Sequence, residues 1–300
     1  MAQSYLTADL SSTRGPGLTL AYRDEKPPAG IDHKGVILLI HGFPQTSYQF
    51  RHVLPLLAAQ GYRCIAPDYR GAGRSSKVAT DFRKSTMAAD MIALLDYLEL
   101  RDPIHLIGHD IGGMIAYPLV SRWPERFRSA CWGECPLPGT PLYERSKTEQ
   151  AVQFFHFIFH SVPDLPEALI AGKERIYIEH FLSKITYNMG AFTEQDIDFY
   201  TNTYSVPGAM RCALNVYRAF EEDARENSEW VQQHGKVKVP TLILSGAQSR
   251  LRHDAKDMAL TVTEEDSLEV GEVAGASHYI GEENPEGFVD VVLPFIEKHI

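Results

Sequence analysis

Gly108-His109-Asp110-Ile111-Gly112 is the stretch of this chain whose residue types and spacing point most directly to chemistry. Small residues flanking a polar side chain at this spacing mark a nucleophile elbow, a sharp turn from a strand into a helix. The elbow position holds Asp110 rather than Ser. Ser Oγ needs a base to remove its proton. An aspartate is ionised near neutral pH and can attack an electrophilic carbon directly. The product is an ester between enzyme and substrate, which water must then cleave.

Cleaving that ester calls for a base, a group that orients the base, and donors for the oxyanion. His278, in Gly275-Ala276-Ser277-His278-Tyr279, follows the last predicted strand and is selected from twelve histidines by position. Its imidazole can take a proton from water. The loop Gly246-Ala247-Gln248-Ser249-Arg250, one place for an orienting acid, contains none. Glu134, at the end of a predicted strand, is the assigned acid, and Asp254, inside a predicted helix, is the alternative. His41-Gly42-Phe43-Pro44 follows a central strand, so the amides of Phe43 and Ile111 are the expected oxyanion donors. His105, on an apolar strand, is expected in the core.

These residues need a scaffold of alternating strands and helices. Leu18 to Arg23 alternates like a half-buried strand and is expected at a sheet edge. Val36 to Ile40 is continuously apolar, as a strand buried on both faces is. Strands are also expected at Cys64 to Pro67, Ile104 to Ile107, Arg128 to Trp132, Thr241 to Ser245 and Leu268 to Val273. Helices are expected at Ser47 to Gln60, Thr86 to Leu98, Ile111 to Arg122 and Pro285 to His299. Alternation stops between Pro136 and Phe220, where the pattern is helical and aromatic. The expectation is a doubly wound, mostly parallel α/β sheet over 1–135 and 221–300, with a helical cap inserted at 136–220.

The bulk numbers agree with a globular enzyme. The chain has 300 residues, 44% hydrophobic and 23% charged, enough to bury a sizeable core. A formal net charge of −10 argues against nucleic acid or an anionic membrane as partner. Cys64, Cys131, Cys135 and Cys212 match no zinc spacing and read as reduced structural thiols in a cytoplasmic protein. No stretch approaches the ~18 apolar residues of a membrane span.

Together HGFP (41–44), DYRGAGRS (68–75), GHDIGG (108–113), Glu134, the cap and ASH (276–278) resemble the epoxide hydrolase and haloalkane/haloacetate dehalogenase branch of the α/β-hydrolase superfamily. The resemblance implies no metal or organic cofactor, and a monomer or homodimer acting on a small substrate. It implies an acid in the cap, and Leu214-Asn215-Val216-Tyr217-Arg218 resembles the segment that carries one, at Tyr217. The position of a first cap tyrosine holds His156, which could instead be a core histidine. Fluoroacetate dehalogenases are similar in pairing a cap His with such a Tyr, but they hold the substrate carboxylate with arginines after the nucleophile. This chain has Ile111 and Met114 there, an apolar floor that cannot pair a carboxylate. The Trp that commonly follows the nucleophile in haloalkane dehalogenases is also missing. The expectation is an epoxide hydrolase for an apolar substrate, with His156, Phe157 and Met114 lining its pocket. The alternatives are a hydrolytic dehalogenase and a ligand-binding receptor without turnover.

Overall fold

The structure is a computed structural model that describes residues 4–77 and 80–300. Eight strands form one sheet: β1 (Leu6–Asp9), β2 (Thr19–Glu25), β3 (Gly35–Ile40), β4 (Tyr62–Pro67), β5 (Ile104–His109), β6 (Phe127–Gly133), β7 (Thr241–Gly246) and β8 (Leu268–Val273). Their spatial order is β1-β2-β4-β3-β5-β6-β7-β8. The β1–β2 and β2–β4 pairs are antiparallel, and all others are parallel. The predicted strands are all present, with ends within two residues of those expected. Leu18 to Arg23 is not the edge: β2 pairs on both sides, and β1 lies outside it. β1 has only four residues, of which Ala8 alone is buried, so it leaves almost no pattern to read.

In β3 the side chains alternate between two cores, which explains its unbroken apolar run. Ile37 and Leu39 join the core beneath the helices Val53–Ala59 and Pro285–Glu297. Val36, Leu38 and Ile40 join the larger core on the other face, shared with the helices Lys84–Tyr97 and Ile111–Arg122. The helix expected over Ser47 to Gln60 is divided into a 3-10 turn, Ser47–Phe50, and an α-helix, Val53–Ala59. Pro55 explains the break, because proline lacks a backbone donor and fits only the first turn of a helix.

Between β6 and β7 the chain leaves the sheet and forms a run of helices from Pro141–Lys147 to Phe220–His234. The order of the sheet reverses at β3, with β4 on one side and β5 on the other. Crevices in such sheets open at the carboxyl ends of the strands around this point. The loops after β3, β5, β6, β7 and β8 all emerge on that side. The four cysteines are buried and free, as expected. No described helix is long and apolar enough to cross a membrane.

Candidate active site

Asp110 is the single residue between β5 and the helix Ile111–Arg122, with φ 54° and ψ −119°. Glu134, just after β6, has φ 56°. Non-glycine residues in this region cost on the order of 1–3 kcal/mol and persist only where the surroundings impose them. Glycines supply the surroundings at the elbow. A Cβ on Gly112 would stand 2.0 Å from the Ile40 carbonyl oxygen, and one on Gly42 would stand 2.4 Å from Asp110 Cβ. Without those atoms the loop after β3 closes on the elbow, and the Phe43 amide donates to Asp110 Oδ1 at 2.8 Å. The Ile111 amide also donates to the Asp110 carboxylate. Both expected oxyanion donors therefore converge on Asp110.

The other oxygen, Oδ2, stands 3.9 Å from His278 Nε2, too far for a hydrogen bond. Nδ1 of the same imidazole lies 3.1 Å from Glu134 Oε2. Glu134 is 2% exposed and fully partnered: Oε1 accepts from the Gly246 amide at 2.9 Å and Oε2 from Ser249 Oγ at 2.9 Å. The end of β7 and the loop after it thus supply the donors that hold this carboxylate. Asp254 borders the same cavity but is paired with Arg145 at 2.5 Å, and the carboxylate that meets His278 is that of Glu134. His109, which no sequence pattern singles out, donates through Nε2 to the His278 carbonyl at 2.7 Å and anchors the backbone of the loop after β8. His105 is a core residue, as expected, with Nδ1 2.8 Å from Ser129 Oγ.

Burial and partners set the protonation states. Burial pushes the Asp110 carboxyl up, while His278 and the two amides pull it back toward the anion. Burial also raises Glu134, opposed by its hydrogen bond with His278. Burial would lower His278, but the hydrogen bond to Glu134 and the charge of Asp110 outweigh it and leave its pKa raised. The imidazole is a stronger base than free histidine. His109, buried beside it, is lowered to about 3 and stays neutral.

These groups open into a cavity of about 400 Å³ between the sheet and the helical insertion. Asp110, Glu134 and His278 line its sheet side, and Phe154, His156, Phe157, Phe181 and Tyr217 line the side of the insertion. Tyr217 comes from the helix Ala209–Arg218, and His156 and Phe157 from Phe155–Ser161. The Tyr217 ring meets Phe43 at 5.7 Å and His156 at 5.6 Å, both edge to face. Burial lowers the pKa of His156 well below the usual histidine value and raises Tyr217 well above the usual tyrosine value, so both are neutral. Met114 does not line the cavity: it is fully buried in the larger core. Its helix packs on the sheet and on Lys84–Tyr97, and Asp110 is the elbow residue that lines the cavity. His160, one turn beyond His156, lies behind the lining, 2.5 Å from Tyr177 Oη and 4.4 Å edge-on from the Tyr217 ring.

The family profile of the α/β hydrolase fold matches residues 35–285. The chain belongs to the α/β-hydrolase superfamily. It is 32% identical to the soluble epoxide hydrolase of Corynebacterium sp. (strain C12), across 86% of this chain and 89% of that one. Among solved structures, Cfl2 from Burkholderia cenocepacia matches with a TM-score of 0.87 at 30% identity, covering 97% of this chain and 95% of that chain. The ligand-free epoxide hydrolase CorEH matches with a TM-score of 0.84 at 27% identity, covering 98% of this chain and 99% of that chain. These relatives place this hydrolase in the epoxide hydrolase branch of the superfamily. Among the described residues of the hydrolase, no group of three or more His, Cys, Asp or Glu is arranged to hold a metal ion.

Proposed function

We propose that this hydrolase opens epoxides to diols through an ester on Asp110, with residues 136–220 acting as the cap over the site. The observation that carries this reading is the division of labour at Asp110. Oδ1 accepts from the Phe43 amide, Oδ2 lies on the His278 side at 3.9 Å, and Asp110 lines the same cavity as Tyr217 of the insertion. Oδ2 attacks an oxirane carbon, the C–O bond breaks, and the ring oxygen takes a proton from the neutral Tyr217 phenol, with His156 beside it. His278, oriented by Glu134, then removes a proton from water, and the hydroxide adds to the ester carbonyl. The amides of Phe43 and Ile111 hold the resulting oxyanion. As it collapses, the alkoxide of the diol leaves with the proton held by the His278 imidazolium, and the second proton of the water, left on the Asp110 carboxyl, returns to the Tyr217 phenolate. Aromatic walls at Phe154, Phe157 and Phe181 suit an apolar substrate.

A neutral phenol matches an oxygen leaving group, which needs a proton. A halide needs none and is held by N–H donors. None of the described residues lining the cavity is a tryptophan, and Trp132 is buried in β6. The test is Asp110→Asn with a panel of epoxides and haloalkanes. Loss of diol formation by at least about 10³-fold is expected. Unchanged diol formation contradicts the role of Asp110, and halide release by the parent enzyme without diol formation from any epoxide contradicts the choice of substrate.

A further inference from the structure

Lys84 is an ammonium group buried where the helical insertion rejoins the core. It opens the helix Lys84–Tyr97 and is 1% exposed. Its Nζ donates to the Val216 carbonyl at 2.7 Å, to Asp223 Oδ2 at 2.8 Å and to the Phe82 carbonyl at 3.3 Å. Asp223 Oδ1 accepts from the Lys84 amide at 2.7 Å, so one carboxylate grips both ends of the residue. Nζ also stands 4.6 Å from the centroid of the Phe220 ring, which packs 4.9 Å from the ring of Tyr217.

A buried ion pair is weak evidence of anything beyond the fold. What distinguishes this one is the third partner. Val216 lies in the last turn of the helix Ala209–Arg218, directly before Tyr217. Carbonyls in a last helical turn lack partners within the helix, and a cation there satisfies both the oxygen and the helix dipole. The Lys84 ammonium therefore holds the peptide that leads into Tyr217 and the aromatic ring that backs it. Lys84 itself does not line the cavity.

We propose that Lys84 is a positioning residue, a core side chain that sets the Tyr217 hydroxyl against the reacting oxygen by fixing the last turn of its helix. The proposal rests on Tyr217 acting as the proton donor. It concerns only the first half of the reaction, ring opening, because Tyr217 takes no part in hydrolysis of the ester.

Removing Lys84 alone leaves Asp223 buried and unpaired, so the test uses Lys84→Met with Asp223→Asn. That pair removes both charges and keeps an oxygen for the Lys84 amide. Single turnovers with styrene oxide are quenched and followed by mass spectrometry of the Asp110 adduct, which gives alkylation and ester hydrolysis separately. Alkylation is expected to slow about tenfold, with the hydrolysis rate and the unfolding midpoint close to those of the parent. In a Tyr217→Phe background the same pair is expected to cost nothing further, because the group being positioned is gone. Lys84→Arg serves as a second variant: it keeps the charge pair, but its longer, planar head cannot hold the Val216 carbonyl in the same geometry, and alkylation should fall several-fold. Full-rate alkylation in a folded Lys84 variant overturns the proposal, as does an equal slowing of both steps or an undiminished further loss beside Tyr217→Phe. Full-rate alkylation in Tyr217→Phe alone is a different result, which removes the proton donor itself.

Discussion

Glu134 and His278 divide one task between them, and each can be tested through the other. In Glu134→Gln the neutral amide can still accept from Gly246, but it cannot stabilise an imidazolium. Diol formation should fall on the order of 10³-fold or more, measured as steady-state turnover. The pH dependence follows from the raised pKa of His278. Ester hydrolysis needs the neutral imidazole, so kcat should fall as pH drops through the pKa of His278, which its hydrogen bond to Glu134 raises. The hydrogen bond that His278 donates to Glu134 is the largest contribution that raises that pKa, so Glu134→Gln should move the acid limb of the kcat–pH profile to lower pH. An acid limb that stays in place in the variant contradicts the link. At this scale the sequence was legible where chemistry restricts the residue type. Asp110, His278, Glu134 and Tyr217 are brought to one cavity, and Phe43 and Ile111 turn their amides to Asp110. Met114 was misread because its distance along the chain from Asp110 says nothing about which side of a doubly covered helix faces the cavity.

The elbow works as an element because three segments approach one another without side chains between them. Gly112→Ala adds a Cβ 2.0 Å from the Ile40 carbonyl oxygen, and neither backbone can yield without disturbing the β3–β5 pairing. The substitution should destabilise the protein by about 1–3 kcal/mol, read as a lower midpoint of denaturant unfolding at unchanged slope. Strands and glycine turns of this kind are local features with a local pattern, and all seven predicted strands were legible in position. One of them, β2, was misjudged as an edge, because β1 is too short to carry a period. The partners that hold the site are not local. Ser249 reaches Glu134 across 115 residues and Lys84 reaches Val216 across 132, and nothing in either neighbourhood announces the contact.

Across the whole molecule, the helical insertion is tied to the sheet by buried charge as well as by aromatic packing. Arg51, beside β3, forms ion pairs with Glu282 after β8 and with Asp196 in the helix Glu194–Ser205. Tyr200 of that helix donates to Glu282 at 2.7 Å, and Gln45 Nε2 donates to the same carboxylate at 2.8 Å. Glu282 is four residues beyond His278, and Gln45 two beyond Phe43, so the insertion is fastened to the two loops that carry His278 and Phe43. Arg51→Met leaves Glu282 with only neutral partners and should cost about 3–5 kcal/mol in chemical denaturation. The central claim is the ester on Asp110, and oxygen tracing tests it most directly. In a single turnover in H₂¹⁸O with enzyme in excess, the added hydroxide attacks the ester carbonyl, so the new diol oxygen comes from Asp110 and the label stays in the enzyme. The account predicts unlabelled diol and ¹⁸O in the peptide that contains Asp110. First-turnover diol carrying ¹⁸O, with an unlabelled Asp110, would contradict it.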